Sequence, residues 1–311
     1  MTISDHPDEF EGHPVRDFDP QEGVADTSIA YRLRLGWDDY EEGIRILDLL
    51  QKILADPRAA ELEALIIGDW GQVGSGRQPD DVIDALVSAR GRLANLKALF
   101  FGDIVMEESE ISWIQQGDLS PFWSALPALE VLKIRGATGL TLGRVKHGGL
   151  RKLVIESGGL PVAVVRQVTS AELPMLEHLE LWLGDPGYGW DGTVADLAPI
   201  LAGGLFPKLR YLGLRDSAIA DEVAMAVASA PILQQLHTLD LSMGNLSDEG
   251  ARALLDSPTI RSIQRLDVHH HYLSEPTVAA LKNLGIEVDA SEPREAYEYG
   301  GTLHRYIAVS E

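Results

Sequence analysis

The side chains whose spacing could do chemistry are histidines and carboxylates. His178 and Glu180 stand two apart in LEHLEL, and Asp240 and Asp267 hold matching positions in LHTLDL and IQRLDV. On a strand, residues two apart share a face, so such groups could act as an acid and base pair or as metal ligands. The run His269, His270, His271 is the other candidate. Alternation lets at most His269 and His271 share a face, and two ligands alone fall short of the three or four a zinc site uses, although Asp267, Asp240 or Asp216 could complete the set. No serine sits in a nucleophile elbow. Gly71, Gly74 and Gly76 in GQVGSGRQPD lack the Gly-Lys-Ser/Thr of a phosphate loop and read as a repeat loop. Any charged face yields acid and base pairs by chance, so the residues lead to no catalytic group, no metal and no cofactor.

These groups depend on strands, and the strands come from a repeat. LHTLDLSMGNLSDEGARALL, from Leu236 to Leu255, has LxxLxL spacing, a turn at Leu246, and a Ser-Asp-Glu-Gly cap opening a helix with Ala253 and Leu254. The same frame begins at Leu62, Leu96, Leu129, Leu150, Leu176 and Leu209, with a degenerate copy at Ile263; successive starts lie 34, 33, 21, 26, 33, 27 and 27 residues apart. One strand and one helix cannot bury their apolar faces alone, so each unit needs its neighbours. The interval of 21 leaves little room for a helix between Leu132 and Leu150, and a turn or short 3₁₀ piece is expected there.

On these units the chain resembles leucine-rich-repeat proteins, with Leu209 to Leu273 most similar to the ribonuclease-inhibitor type. Ile219, Leu246 and Leu273 match the turn position of the motif. Its usual asparagine is replaced by Ser217, Gly244 and His271, which puts a hydrogen-bonded asparagine ladder in question. The segments FEGHPVRDFDP and RYIAVSE also resemble the ends of a bacterial family of such proteins whose biochemical role is unassigned. The resemblance implies an α/β leucine-rich-repeat solenoid: a right-handed superhelix with a curved parallel sheet on its concave face and helices on its convex face. It also implies an interaction module or scaffold without chemistry of its own, although fold is only an analogy for function.

Within that frame, residues 1–27 are expected to form an irregular lid or short hairpin over the first repeat, with Phe10, Val15 and Phe18 as anchors. Residues 28–290 form a single solenoid domain. It includes a cap strand in SIAYRLRLG and a helix from Tyr40 to Leu54 with Ile44, Leu47, Leu50 and Leu54 inward. Further helices are expected from Asp80 to about Ala89, near Val194 to Leu201 and near Pro276 to Leu284, then a strand from Ile286 to Asp289. Residues 291–311 form a tail or cap over the final repeat.

Composition narrows the partners. The 311 residues carry 48 acidic and 26 basic side chains, a formal charge of −22, which repels phosphate backbones and anionic headgroups. Neither nucleic acid nor membrane is expected, whereas a protein partner is. With no cysteine and no apolar leader or membrane segment, the sequence reads as a cytoplasmic monomer.

Residues alternating with the core leucines pave the face that would meet a partner. They are Arg32, Arg34 and Trp37; Ile66, Asp69 and Trp70; Phe100 and Asp103; Lys133 and Arg135; Lys152 and Glu156; His178, Glu180 and Trp182; Tyr211, Arg215 and Asp216; Asp240; and Asp267, His269 and His271. Aromatics and paired charges anchor protein interfaces, which favours binding there, although the N-terminal segment or long loops could cover some of these rings. The insertion GDPGYGWDG adds Tyr188 and Trp190, which could reach a ligand or fold back on the ridge. The alternative function is a small-ligand or substrate-presenting accessory protein for a neighbouring enzyme.

Overall fold

In each LxxLxL frame the fourth and sixth residues alternate on a strand and turn inward, while those between them face outward. The computed structural model describes residues 3–36, 39, 41–71 and 78–310. In it Leu65, Leu99, Leu132 and Leu153 are fully buried, as are Leu179, Leu212, Leu239 and Leu266. The chain forms two compact units, Ile3–Ile155 with Ser170–Leu173, and Glu156–Thr169 with Pro174–Glu311.

In the first unit the strands neighbour one another in chain order: β1 (Glu9–Phe10), β2 (His13–Asp17), β3 (Ala30–Leu33), β4 (Ala64–Ile67), β5 (Ala98–Phe101), β6 (Val131–Arg135) and β7 (Lys152–Glu156). β1 and β2 form an antiparallel hairpin, and β2 continues parallel to β3, so the N-terminal segment extends the sheet. Helices α1 (Ile46–Ala55), α2 (Asp80–Ser88) and the single turn α3 (Phe122–Ala125) follow β3, β4 and β5. Tyr40 lies outside the described residues, and α1 starts later than its pattern predicts. Gly43 is left-handed at φ 74°, which interrupts a helix, and Arg45 with Asp48 then forms a capping box. Its buried stripe is accordingly Ile46, Leu49, Leu50 and Ile53 instead of Ile44, Leu47, Leu50 and Leu54. No helix lies between β6 and β7, as the short interval predicts.

The second unit alternates α4 (Val162–Thr169), β8 (His178–Gly184), α5 (Val194–Leu201), β9 (Tyr211–Ser217), α6 (Ala220–Ala228), β10 (Thr238–Asp240), α7 (Asp248–Asp256), β11 (Arg265–Asp267), α8 (Glu275–Lys282) and β12 (Glu287–Asp289). The strands β8 to β12 are parallel and in order. Ser247 caps α7, its Oγ accepting the Glu249 N–H at 3.3 Å. Gly250 is required because a Cβ there would lie 2.6 Å from Asp221 Oδ1 at the start of α6.

Asparagines are not needed at every repeat because other buried groups bond the next turn. Gln116 donates to Arg135 C=O at 2.8 Å, Ser157 to Trp182 C=O at 3.0 Å, and His271 Nε2 lies 3.2 Å from Ala290 C=O. Asn245 spans one step, donating to Ala218 C=O at 2.7 Å and accepting from Ala220 N–H at 3.2 Å. Asp216, Met243 and His270 occupy one register position in three successive repeats, and all are left-handed, with φ of 48°, 68° and 56°. Such non-glycine residues cost about 1 kcal/mol or more each. Here each N–H is donated to the next repeat, at Ser242, His269 and Ser291 carbonyls.

The tail forms the hairpin β13 (Tyr297–Tyr299) and β14 (Thr302–His304). Its last turn docks along this left-handed row, with Ala308 N–H on Met243 C=O at 2.8 Å and Val309 N–H on Asp216 Oδ1 at 2.9 Å. Among the described residues no helix is long and apolar enough to cross a membrane.

Candidate functional site

Among the outward residues of the first unit, Phe100, Asp103 and Arg32 lie against the chain's own N-terminal segment. Phe100 is fully buried, with the Phe10 ring 6.0 Å away. Ala30, Ala64, Ile66 and Ala98 complete the apolar patch, and Lys133 Nζ sits 4.5 Å from the Phe100 centroid. Asp103 is fully buried, with Arg135 Nη1 at 3.4 Å, Arg32 Nη1 at 3.6 Å and His6 Nδ1 at 3.0 Å. His6 Nε2 faces Glu108 at 3.5 Å, and Glu108 also takes Arg34 at 3.0 Å. Burial on its own would lower the His6 pKa. Its hydrogen bonds and charge interactions with Asp103 and Glu108 prevail and raise it to about 9.

Trp37 lies outside the described residues, and two other first-unit candidates differ from the sequence reading. Trp70 is in the interior, stacked on Phe101 at 5.2 Å, because β4 ends at Ile67 and strand alternation stops there. Asp69 is also buried, and its Oδ1 accepts the Gly71 N–H at 3.1 Å.

The second unit builds a denser arrangement. Register pairs Glu180 with Gly213, Gly213 with Asp240, Asp240 with Asp267, and Asp267 with Asp289. Four carboxylates therefore share one row, interrupted at Gly213. A Cβ at Gly213 would stand 3.1 Å from both Glu180 Cγ and Tyr211 Cε1, so glycine leaves room for the side chains that cross the gap. Arg215 crosses it, donating to Glu180 Oε1 at 2.8 Å and Ser242 Oγ at 2.9 Å, with Asp240 Oδ2 at 3.3 Å. The guanidinium also lies 5.4 Å from the Trp182 ring, whose Nε1–H is donated to Glu180 Oε1 at 2.7 Å. His178 stacks on Tyr211 at 3.8 Å and faces Glu180 Oε2 at 3.3 Å. Tyr211 donates its hydroxyl to Asp240 Oδ2 at 2.5 Å.

Like charges on adjacent strands repel, and the cations set the proton affinities. Burial tends to raise the Glu180 pKa, but His178, Arg215 and Trp182 hold it well below the usual carboxylate range. Burial and the neighbouring Glu180 and Asp240 charges lift the Tyr211 phenol well above its ordinary value. At the far end, Asp267 is lowered to about 2 against its burial by His269 and Arg265, and His269 is raised in turn by Asp267.

Ligand atoms of Asp267, His269 and Asp289 lie within 4.8 Å of one another, close enough to hold a metal ion. Arg265 Nη2 already contacts both carboxylates, at 3.0 and 3.3 Å, which supplies the positive charge by other means. His269 and His271 do not share a face, because β11 ends at Asp267 and His270 is left-handed; His271 turns into the core.

The insertion folds back on its own ridge. Asp185 N–H is donated to Gly158 C=O at 2.9 Å, Trp190 is buried over Gly192, and Tyr188 is half-buried with its carbonyl against Gly159. Sequence reasoning missed Arg265 and Asp289 in the second unit and His6 and Glu108 in the first, and it had Phe10 as an anchor of the N-terminal segment without its partner Phe100. Arg265 had a usable signal, since it holds the frame position of His178 and Tyr211. His6 and Glu108 have no register, and only folding brings them together.

Repeated strand-then-helix units define a leucine-rich-repeat-like fold. The chain belongs to the same family as a Bacteroides fragilis protein whose crystal structure was determined by the Northeast Structural Genomics Consortium. That protein is 37% identical, with 90% of this chain and 76% of that chain covered and a TM-score of 0.80. An internalin of Listeria monocytogenes is also similar, at 15% identity over 86% of this chain and 62% of that one, with a TM-score of 0.41. No protein-family model matches the chain, nor does any curated protein.

Proposed function

We propose that this protein is a non-catalytic interaction module whose second unit binds a partner protein through its strand face. The repeats from Leu209 to Leu273 are read as ribonuclease-inhibitor-like, within a bacterial leucine-rich-repeat family whose biochemical role is unassigned. The observation that carries the reading is the row Glu180, Asp240, Asp267 and Asp289, flanked by His178, Tyr211 and His269. Two arginines, Arg215 and Arg265, contact these four carboxylates. Four carboxylates against two arginines leave the row net negative, which suits a basic partner surface, with the partly exposed rings of His178, Tyr211 and His269 beside it. Glu180, held as an anion by Arg215, His178 and Trp182, is a poor proton acceptor at neutral pH, which supports recognition over acid–base work.

Affinity capture with the intact chain, followed by mass spectrometry, tests the reading when it is repeated with His178→Ser combined with His269→Ser. Both side chains are about a fifth exposed, so the fold should survive their loss. A protein captured by the wild type and lost on the variant, at unchanged melting temperature, supports the reading. Equal capture by both chains rules this face out.

A further inference from the structure

The first unit's strand face is built like a binding groove, and part of this chain is seated in it. In a chain of net charge −22, Lys133 and Arg135 lie over the aromatic floor of Phe100, and Arg32, Arg34 and Lys152 meet carboxylates of the same unit. Residues 3–11, ISDHPDEFE, cross it and carry four acids. We propose that this face is a groove for an extended polypeptide that presents a cation, an aromatic anchor and an acid in that order, and that residues 3–11 fill it in cis as a displaceable occupant.

The contacts are of the kind that recognise a peptide. Phe10 sits on Phe100, Glu11 pairs with Lys152 at 2.7 Å, and the Pro7 carbonyl accepts from Arg32 Nη1 at 3.4 Å. Ile3 C=O accepts the Met106 N–H at 2.8 Å, and His6 enters between Asp103 and Glu108. Aromatic anchors and charge-assisted bonds of this kind supply most of the energy at interfaces.

The segment is joined so that it can leave. Glu11 and Gly12, both left-handed at φ 50° and 80°, make a two-residue turn, and β2 keeps its own ladder to β3 through Val15, Arg16 and Asp17. Lifting residues 3–10 breaks the side-chain anchors, a two-residue strand and the backbone bonds from Met106 N–H to Ile3 C=O and from Val15 N–H to Asp8 C=O, while the parallel ladder stays paired. It would also uncover Phe100 and leave Asp103 and Glu108 without His6.

Those two carboxylates decide the class of partner. A replacement must bring a cation where His6 sits, an aromatic ring at Phe10 and an acid at Glu11. A nucleic acid offers bases and phosphates but no cation, so the groove fits a polypeptide.

The test is exchange in trans on the full chain. A fluorescein-labelled peptide of residues 3–12 is titrated against the wild type and against His6→Ala combined with Phe10→Ala, with anisotropy as readout. The weakened cis segment should let the variant bind at least tenfold more tightly than the wild type, and a peptide carrying the same two alanines should not bind. A folded variant, confirmed by circular dichroism, that ignores the peptide overturns the proposal. Preferential uptake of a labelled oligothymidine overturns the polypeptide assignment. A second measurement covers a variant that fails to fold. Chymotrypsin should cut the native wild type after Phe10, read as the released N-terminal peptide by mass spectrometry, whereas resistance at Phe10 until global unfolding makes the segment a fixed cap and refutes displacement.

Discussion

Changing His6 to glutamine removes a charge seated between Asp103 and Glu108, and the size of its effect follows from the proton affinity. The folded pKa is about 9 against an ordinary 6.5, so the group is raised on folding. A histidine raised in this way contributes stability that is fully present below pH 6.5 and is lost as the pH climbs through 9. At about 1.4 kcal/mol per tenfold in proton affinity, the contribution at pH 7 approaches ~2.5 kcal/mol. The imidazole is 11% exposed, and solvent screening trims this to about 2 kcal/mol.

The Met106 amide reports the event locally, because its N–H is donated to Ile3 C=O on the same segment. Hydrogen exchange at Met106, corrected for the intrinsic pH dependence of exchange, should be about 30-fold less protected in His6→Gln than in the wild type at pH 7. That gap should close by pH 10, where the wild-type imidazole is neutral. Equal protection at pH 7, or a gap that persists unchanged to pH 10, would refute the assignment of His6 as a charged latch.

Other perturbations read different parts of the fold. Asp216 is fully buried, and burial raises its pKa well above normal against the Val309 and Ala308 amides. Stability is therefore lost as the pH rises from the ordinary carboxylate range through the folded value. In urea titrations Asp216→Asn should gain on the wild type with rising pH, and a constant difference would contradict this. Glu180 has the opposite sign, since its folded pKa is depressed and its contribution is present above pH 4.5 and lost in acid. Glu180→Gln, which leaves Arg215 half-paired, should cost about 3–5 kcal/mol at pH 7, with a deficit that shrinks toward pH 2. Gly250→Ala places a methyl against Asp221 and should lower stability by about 1–3 kcal/mol in thermal melts; a neutral result would mean that α6 and α7 separate easily.

The candidate sites were legible in proportion to their dependence on the repeat. His178, Glu180, Tyr211, Arg215, Asp240 and Asp267 sit at or just beyond positions set by LxxLxL, and the strands place them on neighbouring rows of one face, with His178 beside Tyr211 and the three carboxylates in line. Trp70 and His271 escaped the same reasoning because alternation holds only while the strand lasts, and β4 and β11 end before reaching them. Gly213 looked empty in the register, yet its missing side chain is what lets Arg215 and Tyr211 reach the carboxylates.

The repeating leucines determined by themselves that strands and helices would alternate and which side chains would turn inward. A period of two along a strand and the need of each unit for neighbours are properties of local sequence. Tertiary structure alone decided that Phe10 would cover Phe100, that His6 would meet Asp103 across 97 positions, and that Val309 would close on Asp216 across 93. Those contacts join segments without a repeat to segments that have one. Their partners are selected by fit and charge in the folded chain, and no spacing in the sequence encodes them.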